Sequence, residues 1–291
     1  MIGGMPKDAS GRLFVVATPL GNLEDLSPRG VRVLGEVALL ACEDTRRTRR
    51  LLAVHGLKTP LSSYHEHSEA RKGPLLIQAL REGKDVALVS DAGTPGISDP
   101  GYRLVRAARD EGLPVIPVPG PSAVITALSV SGLPSDRFLF VGFLPARPGP
   151  RRRAVDELAP VPWTLVIYES PERIVSTLGD LEQRLGDRDA FLCREATKLH
   201  EEYLPGRLGT LRAELTGRPR VRGEVVLVVA GADPAAPVAE PAALEELVAA
   251  LRASGLTRRE AVKEAARRLR RPAREVYSQV LDAEQRGAGG R

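Results

Sequence analysis

The first 120 residues alternate short apolar runs with helical patterns, and this alternation restricts the fold more than any other feature. Alternating strands and helices of this length predict parallel βαβ units. The predicted strands cover residues 12–18, 37–42, 85–90 and 114–118. The loops that follow such strands gather at the carboxyl edge of the sheet, which is where open α/β sheets bind ligands.

A second α/β unit is predicted to begin near residue 135. Its predicted strands cover residues 137–143, 164–168, 190–194 and 224–230. The proline-rich stretch 145–150 leads into three consecutive arginines, Arg151, Arg152 and Arg153. This stretch is expected to be an exposed, mobile basic loop.

The last fifty residues are predicted to form three short helices that resemble a helix-turn-helix unit. Thr257 and Glu260 match a capping box at the start of the second helix. The predicted division of the chain is a disordered lead-in at 1–11, α/β lobes at 12–132 and 135–232, a linker at 233–241 and a basic helical unit at 242–286.

Composition points to a globular protein. Hydrophobic residues make up 43% of the chain but aromatic residues only 4%, so the cores must be built mainly from Val, Leu, Ala and Ile. No apolar run approaches the ~18 residues of a membrane span, and the N-terminus lacks the pattern of a secretory signal. Cys42 and Cys193 fall in apolar runs and are expected to be reduced core thiols of a cytoplasmic protein.

The most informative single motif is the loop from Ser90 to Gly101, which follows the apolar run Val86–Val89. Nearly all of its residues are Gly, Pro, Ser, Thr, Asp or Ala. Connections in α/β units usually take two to six residues. A loop of this length and composition lets backbone approach a ligand closely, so a binding site is predicted here.

Three further loops end predicted strands at the same edge: Ala17–Leu23, Glu43–Thr45 and Pro119–Ala123. The acidic loop Glu43–Thr45 suits either a contact to a ribose or the N-cap of a helix. None of these loops contains Gly-x-Gly-x-x-Gly or a Walker motif, which argues against a standard nicotinamide site and a P-loop NTPase.

These loops, in this order, resemble the tetrapyrrole-methylase (class III) superfamily of S-adenosylmethionine-dependent enzymes, and within it the ribosomal RNA small subunit methyltransferase I family. Tyr168–Pro171, Cys193–Lys198 and Arg222–Glu224 extend the resemblance into the second unit. Tetrapyrrole-modifying members carry a glycine-rich first loop and Gly-Asp-Pro in the third. This chain has Thr-Pro-Leu-Gly-Asn and Ser-Asp-Ala-Gly-Thr-Pro instead, which favours the RNA branch.

The resemblance implies an α/β, two-lobed tetrapyrrole-methylase-like fold with S-adenosylmethionine in the cleft between the lobes. It also implies methylation of the ribose 2′-oxygen of a decoding-centre cytidine in 16S rRNA. The implied donor-binding residues are Pro19, Leu20, Gly21, Asn22, Asp91, Ala92, Gly93, Thr94, Pro95, Ile97, Ser98, Gly120, Pro121, Ser122, Ala123 and Tyr168.

A neutral 2′-hydroxyl is a poor nucleophile, so a base or a nearby cation should assist the transfer. Candidates at strand ends that face the cleft are Glu169, Arg194, Glu195, Lys198 and Asp99. In the preferred arrangement Glu195 accepts the proton while Lys198 or Arg194 holds a phosphate. The alternative is a salt-bridge network between the lobes. No metal is expected, because His65 and His67 lack neighbouring ligands.

RNA binding is predicted from charge. Between Arg252 and Arg274 there are nine basic residues and two acidic ones, which is typical of a nucleic-acid-binding surface. The alternative is a solvated amphipathic helix. The predicted RNA contacts are Arg259, Lys263, Arg267, Arg270 and Arg274, together with two further clusters at Arg46, Arg47, Arg151, Arg152 and Arg153.

The expected partner is 16S rRNA or the 30S subunit, and a homodimer is expected because the superfamily is commonly dimeric. Two other functions stay open at this point. One is a methylase of the same fold that acts on a tetrapyrrole or another small molecule, and the other is a non-enzymatic RNA-binding factor for ribosome assembly.

Overall fold

The computed structural model describes residues 10–233, 241–253, 255–268 and 273–288. The chain divides into one unit that ends at Ala232 and another that begins at Asp233. Most of the predicted lead-in (1–11) and linker (233–241) lies outside the described residues. Gly11 is an exception to the predicted disorder, because it is buried and its N–H donates to the carbonyl oxygen of Leu80 at 2.7 Å.

The first lobe contains a five-stranded sheet in the order β3-β2-β4-β1-β5, and all of its strand pairs are parallel. Its strands are β1 (Leu13–Val16), β2 (Leu39–Cys42), β3 (Leu61–Ser63), β4 (Val86–Val89) and β5 (Val115–Val118). The prediction of parallel βαβ units is confirmed. The short edge strand β3 was not predicted.

Four helices cover this sheet: α1 (Pro28–Glu36), α2 (Thr45–Val54), α3 (Glu69–Arg81) and α4 (Tyr102–Asp110). A fifth helix, α5 (Ala123–Val130), follows β5. Alternate strand residues face opposite sides of the sheet. Phe14 and Leu40 therefore belong to one buried cluster, whereas Leu13 and Leu88 belong to another.

The second lobe is a mixed sheet in the order β6-β7-β10-β8-β9, in which only β6 and β7 pair in parallel. Its elements are β6 (Phe138–Phe143), α6 (Pro148–Leu158), β7 (Thr164–Glu169), α7 (Ile174–Leu185), β8 (Asp189–Arg194), β9 (Glu202–Arg207), α8 (Leu208–Thr216) and β10 (Val225–Val229). Helix α5 packs Val124 and Leu128 against Val166 and Val226 of this sheet. An apolar contact therefore joins the two lobes.

The predicted basic loop at 145–153 is wrong, because residues 148–158 form helix α6. Arg151 is only 4% exposed, and its Nε donates to Asp180 Oδ2 at 2.7 Å. The Nε of Arg152 donates to the other oxygen of Asp180 at 2.8 Å. Arg151 therefore holds α6 against α7 and is not available to RNA, whereas Arg153 is exposed.

The C-terminal unit contains α9 (Pro241–Ala253), α10 (Arg258–Arg268) and α11 (Ala273–Ala288), which share an apolar core. The capping box is present, since Thr257 N donates to Glu260 Oε2 at 2.9 Å and Glu260 N to Thr257 Oγ1 at 3.4 Å. Arg259, Lys263 and Arg274 are exposed. Arg270 and the side chain of Arg267 lie outside the described residues. None of the described helices has the length and apolar character needed to cross a membrane.

Candidate functional site

Backbone and side-chain hydrogen bonds join the predicted loops at the carboxyl edge of the first sheet. Thr18 and Gly93 exchange two backbone hydrogen bonds of 2.9 and 3.0 Å. Thr94 Oγ1 donates to the carbonyl oxygen of Pro121 at 3.0 Å, and Asp44 N donates to Asp91 Oδ1 at 2.9 Å. The loop 90–101 therefore holds the loops that follow β1, β2 and β5 in one constellation.

A cavity of about 350 Å³ opens between this constellation and the second sheet, and we call it the interlobe cavity. Its volume is in the range of small-molecule sites. Predicted donor-binding residues that line it are Leu20, Asp91, Ala92, Gly93, Thr94, Ile97, Ser98, Ser122, Ala123 and Tyr168.

The other predicted donor-binding residues do not line the interlobe cavity. Pro19 and Gly21 line a second cavity beside it. Asn22 accepts a hydrogen bond from Glu24 N at its side-chain oxygen, at 3.2 Å, and so caps a short 3-10 helix. The remaining three shape the loops without lining either cavity: Pro95, Gly120 and Pro121.

Glycine is required at Gly93, whose φ is +77°. A Cβ there would lie 3.2 Å from Leu20 Cδ2, so the missing side chain lets Leu20 reach the cavity wall. Gly120 serves a similar purpose, because a Cβ there would lie 3.1 Å from that of Ala17. The small residues of these loops thus permit close packing of backbone around the cavity.

The second lobe supplies an aromatic wall. The ring of Tyr168 meets those of Phe140 and Phe143 edge-on, with centroid distances of 4.9 and 5.6 Å. Burial, with the nearby Asp99 carboxylate, raises the pKa of Tyr168 to about 12, so its phenol is neutral at pH 7. Tyr168 and Phe143 offer apolar surface of the kind that covers a planar heterocycle.

Asp99 is a titratable cavity residue with a strongly perturbed pKa. Burial, together with the negative charges of Glu43, Asp91 and Glu224, raises the pKa of its carboxyl to about 6, although a hydrogen bond with Ser90 opposes the shift. Asp99, Asp91 and Glu224 all line the interlobe cavity. A carboxyl that is half ionised near pH 6 can take up and release a proton near neutrality.

Glu169, a predicted catalytic residue, lines the interlobe cavity, but its carboxylate already has several partners. Its side chain is fully buried and forms an ion pair with Arg173. It also accepts hydrogen bonds from Thr177 Oγ1 at 2.6 Å and Ser170 N at 2.8 Å. Its carboxylate is therefore satisfied within the second lobe, where it anchors the start of α7.

Arg194, Glu195 and Lys198 form ion pairs, as in the alternative interpretation, although the paired groups all belong to the second lobe. Arg194 Nε donates to Glu202 Oε2, and Lys198 Nζ to Glu195 Oε1, both at 2.8 Å. Burial alone would raise the pKa of Glu195, but the hydrogen bonds from Lys198 and from the N–H of Glu224, with the nearby positive charges, together outweigh burial and hold this pKa below its usual value. These side chains are absent from the wall of the interlobe cavity.

The same segment also touches the first lobe. Thr197 Oγ1 accepts a hydrogen bond from Asn22 N at 3.1 Å. A Cβ at Gly21 would lie 2.2 Å from Lys198 Cγ, so the stem of that lysine rests on the glycine. The segment around Lys198 therefore positions the two lobes relative to each other.

The loop Glu43–Thr45 forms the N-cap of a helix, which is the second of the two roles considered for it. Asp44 is the N-cap of α2, and its Oδ1 accepts from Arg46 N at 2.8 Å. The hydrogen bond from the Arg46 side chain lowers the pKa of Asp44 to about 2. Arg46 is thus paired at the surface, while Arg47 lies 3.5 Å from Asp91 at the rim of the interlobe cavity.

Several residues that line the interlobe cavity were not predicted from the sequence. Phe143 and Val226 lie on strands and carry no local motif that marks a site. Gly223 and Glu224 belong to a segment that the resemblance included without a role. Within the described part of the chain, no group of three or more His, Cys, Asp or Glu side chains could hold a metal ion.

Comparison with known proteins agrees with this geometry. The family model described as Tetrapyrrole (Corrin/Porphyrin) Methylases matches residues 12–212. A protein of Mesorhizobium japonicum named Ribosomal RNA small subunit methyltransferase I is 43% identical over 96% of this chain and 95% of its own length. A protein of the same name from Synechocystis is 43% identical over 95% of this chain and 100% of its own length.

Solved structures show the same fold. Uroporphyrin-III C-methyl transferase from Thermus thermophilus, complexed with S-adenyl homocysteine, superposes with a TM-score of 0.54 at 24% identity. That match covers 75% of this chain and 97% of the other. Diphthine synthase superposes with a TM-score of 0.56 at 18% identity, covering 76% of this chain and 90% of the other.

Proposed function

Because this chain belongs to the ribosomal RNA small subunit methyltransferase I family of tetrapyrrole methylases, we propose that it transfers a methyl group from S-adenosylmethionine to small-subunit rRNA. We propose further that the acceptor is the ribose 2′-oxygen of a decoding-centre cytidine. The observation that carries the proposal is the interlobe cavity, in which loops of the first lobe face aromatic and acidic side chains.

The cavity residues fit S-adenosylmethionine. Tyr168 and Phe143 provide apolar surface for an adenine ring, and helix α5 begins at Ala123, where N–H groups lack partners within the helix. Asp91, Asp99 and Glu224 concentrate negative charge that stabilises a cation such as a sulfonium. Size, shape and charge thus favour this donor.

The donor supplies an electrophilic methyl group on sulfur, so positioning contributes most of the catalysis. As the methyl carbon leaves sulfur and bonds to the acceptor oxygen, the hydroxyl must lose its proton. We assign that proton to the Asp99 carboxylate, which lines the cavity. Glu169 also lines it, but its carboxylate is held by Arg173 and Thr177, and Glu195 and Lys198 pair with each other. With its raised pKa, Asp99 is a stronger base than an ordinary aspartate.

Exposed basic side chains support an RNA substrate. Arg259, Lys263 and Arg274 of the C-terminal unit are exposed, whereas Val262 and Ala265 of the same helix pair are buried. Arginines and lysines on one face of a helix neutralise phosphates without reading bases. We expect that Arg259→Ala with Lys263→Ala reduces the salt dependence of RNA binding and leaves donor affinity unchanged.

Three further expectations accompany the proposal. The substrate is 16S rRNA or the assembled 30S subunit, the protein acts in the cytoplasm, and it forms a homodimer. Sedimentation with and without donor would test the homodimer directly.

The experiment is transfer of a labelled methyl group from S-adenosylmethionine to purified 30S subunits and to naked 16S rRNA, followed by alkaline hydrolysis. A 2′-O-methyl group blocks cleavage at the modified position, so an alkali-resistant dinucleotide that contains cytidine is expected. Label in a base, which leaves hydrolysis complete, would contradict the ribose assignment.

The same assay separates the two alternatives. Transfer to a tetrapyrrole but to neither RNA substrate would favour a small-molecule methylase. RNA binding without measurable affinity for the donor would favour a non-enzymatic assembly factor.

A further inference from the structure

A second cavity lies beside the interlobe cavity in the first lobe, and the mechanism above does not use it. Its volume is about 360 Å³, and the loop after β1 and helix α2 form much of its wall. The two cavities share Leu20, Arg47 and Asp91, so those side chains form the partition between them. A group bound in one cavity is therefore next to a group bound in the other.

One wall of the second cavity is apolar although it faces solvent. Leu23 and Val54 remain 42% and 62% exposed, and Leu51, which lines the same cavity, is 9% exposed. Apolar side chains gathered at a concave surface favour an apolar ligand face over water. The faces of a nucleobase are apolar, and enzymes that act on nucleotides often receive an unstacked base between such side chains.

The lining of this cavity also includes a cationic side chain, that of Arg50. Arg50 lies on helix α2 four residues before Val54, and its side chain is exposed. Within the described part of the chain, no ion pair or hydrogen bond engages the side chain of Arg50. Arg47 at the partition is held only loosely, 3.5 Å from Asp91. An arginine beside an apolar pocket suits a nucleotide, whose base and phosphate need these two surfaces.

We propose that the second cavity receives the target nucleotide of the RNA, with its base against Leu23, Leu51 and Val54 and a phosphate on Arg50. This inference rests on the proposed function, because it assumes an RNA acceptor. In this arrangement the acceptor ribose lies beside Arg47 and Asp91, the side chains that separate the two cavities. From there its hydroxyl can approach Asp99 in the interlobe cavity. The substrate segment is therefore single-stranded or locally unpaired.

The cysteine content of the chain allows a test that does not depend on activity. The chain has two cysteines, Cys42 and Cys193, and both are buried. Val54→Cys therefore introduces a single accessible thiol at the mouth of the second cavity. We expect 30S subunits with S-adenosylhomocysteine to slow its alkylation about tenfold or more, whereas S-adenosylhomocysteine alone leaves the rate unchanged.

Leu75→Cys is the matched control, because Leu75 is 66% exposed on α3 and lines neither cavity. Its alkylation rate should be the same with and without the 30S subunit. Protection of Val54→Cys by S-adenosylhomocysteine alone would place the donor in this cavity and overturn the inference. Equal alkylation of Val54→Cys with and without RNA would overturn it as well.

Transfer kinetics separate failure of this inference from failure of the proposed function. We expect Val54→Trp to lower the single-turnover rate at saturating RNA about tenfold or more, with donor affinity at the wild-type value. Leu75→Trp should match the wild type in both. If the wild type methylates no RNA, the proposed function fails; if Val54→Trp transfers as fast as an active wild type, only the nucleotide pocket fails.

Discussion

The raised pKa of Asp99 predicts how the rate of methyl transfer depends on pH. A base with a pKa of about 6 is ionised in about one molecule in eleven at pH 5 and about ten in eleven at pH 7. The single-turnover rate at saturating substrate should therefore rise about tenfold between these pH values. An aspartate with an ordinary pKa near 3.9 would already be ionised at pH 5 and would give almost no rise.

Glu43 provides a control for the cause of this pH dependence. Its negative charge is the largest contribution after burial to the raised pKa of Asp99, and Glu43 does not line the interlobe cavity. Glu43→Gln should therefore lower the pKa of Asp99 and move the inflection of the rate to lower pH. Asp99→Asn should remove the inflection together with most of the rate.

Stability should respond in the opposite direction to activity. Because the pKa of Asp99 is higher in the folded protein than in the unfolded chain, the folded state binds the proton more tightly. Its contribution to stability is present at low pH and is lost as the pH rises through about 6. At pH 7, Asp99→Asn should raise the free energy of unfolding by on the order of 1 kcal/mol, after allowance for partial exposure of the carboxyl.

Two results would refute this reasoning. One is a wild-type rate that is flat between pH 5 and 7 although chemistry limits turnover. The other is an Asp99→Asn variant that transfers methyl groups within about threefold of the wild type, since loss of a general base costs about a hundredfold or more.

Three other substitutions test the assignments made above. Lys198→Met should reduce the melting temperature, because Lys198 supports Glu195 and the contact between the lobes. Its single-turnover rate should stay within about threefold of the wild-type rate, whereas a hundredfold loss of rate would support the catalytic role predicted for Lys198. Ile97→Trp should fill the interlobe cavity and lower donor affinity at least about tenfold in calorimetry, and unchanged affinity would place the donor elsewhere. Asp180→Ala leaves Arg151 buried without its partner, so denaturant unfolding should show a loss of about 3–5 kcal/mol, whereas a loss below about 1 kcal/mol would contradict the buried ion pair.

The loops that line the interlobe cavity were predictable because local sequence determines them. A short apolar run followed by small residues marks both the end of a buried strand and a backbone that can approach a ligand. The loops after β1, β4 and β5 satisfied this pattern, and parallel pairing brings their strand ends to one edge. Strand β9 escaped prediction because Pro205 and Gly206 lie within it. Glycine weakens a strand, and proline is tolerated mainly in edge strands such as β9.

The basic cluster at 151–153 shows a second limit of local patterns. Three arginines after a proline-rich stretch look the same whether they face solvent or a partner. Asp180, which accepts from Arg151 and Arg152, lies 29 and 28 residues away on α7. Proline is also well tolerated in the first turn of a helix, so Pro148 marks the start of α6 here.

The choice of base depended on the same long-range information. Glu195 and Asp99 are both carboxylates that follow predicted strands. Glu195 accepts hydrogen bonds from Lys198 and from the N–H of Glu224. Asp99 is instead partly buried near negative charges, those of Glu43, Asp91 and Glu224. A cation beside a carboxylate makes it a weaker base, and a neighbouring carboxylate makes it a stronger one. Lys198 is only three residues from Glu195, but Glu43 and Glu224 reach Asp99 from distant parts of the chain. The fold was therefore needed to distinguish the structural pair from the proposed base.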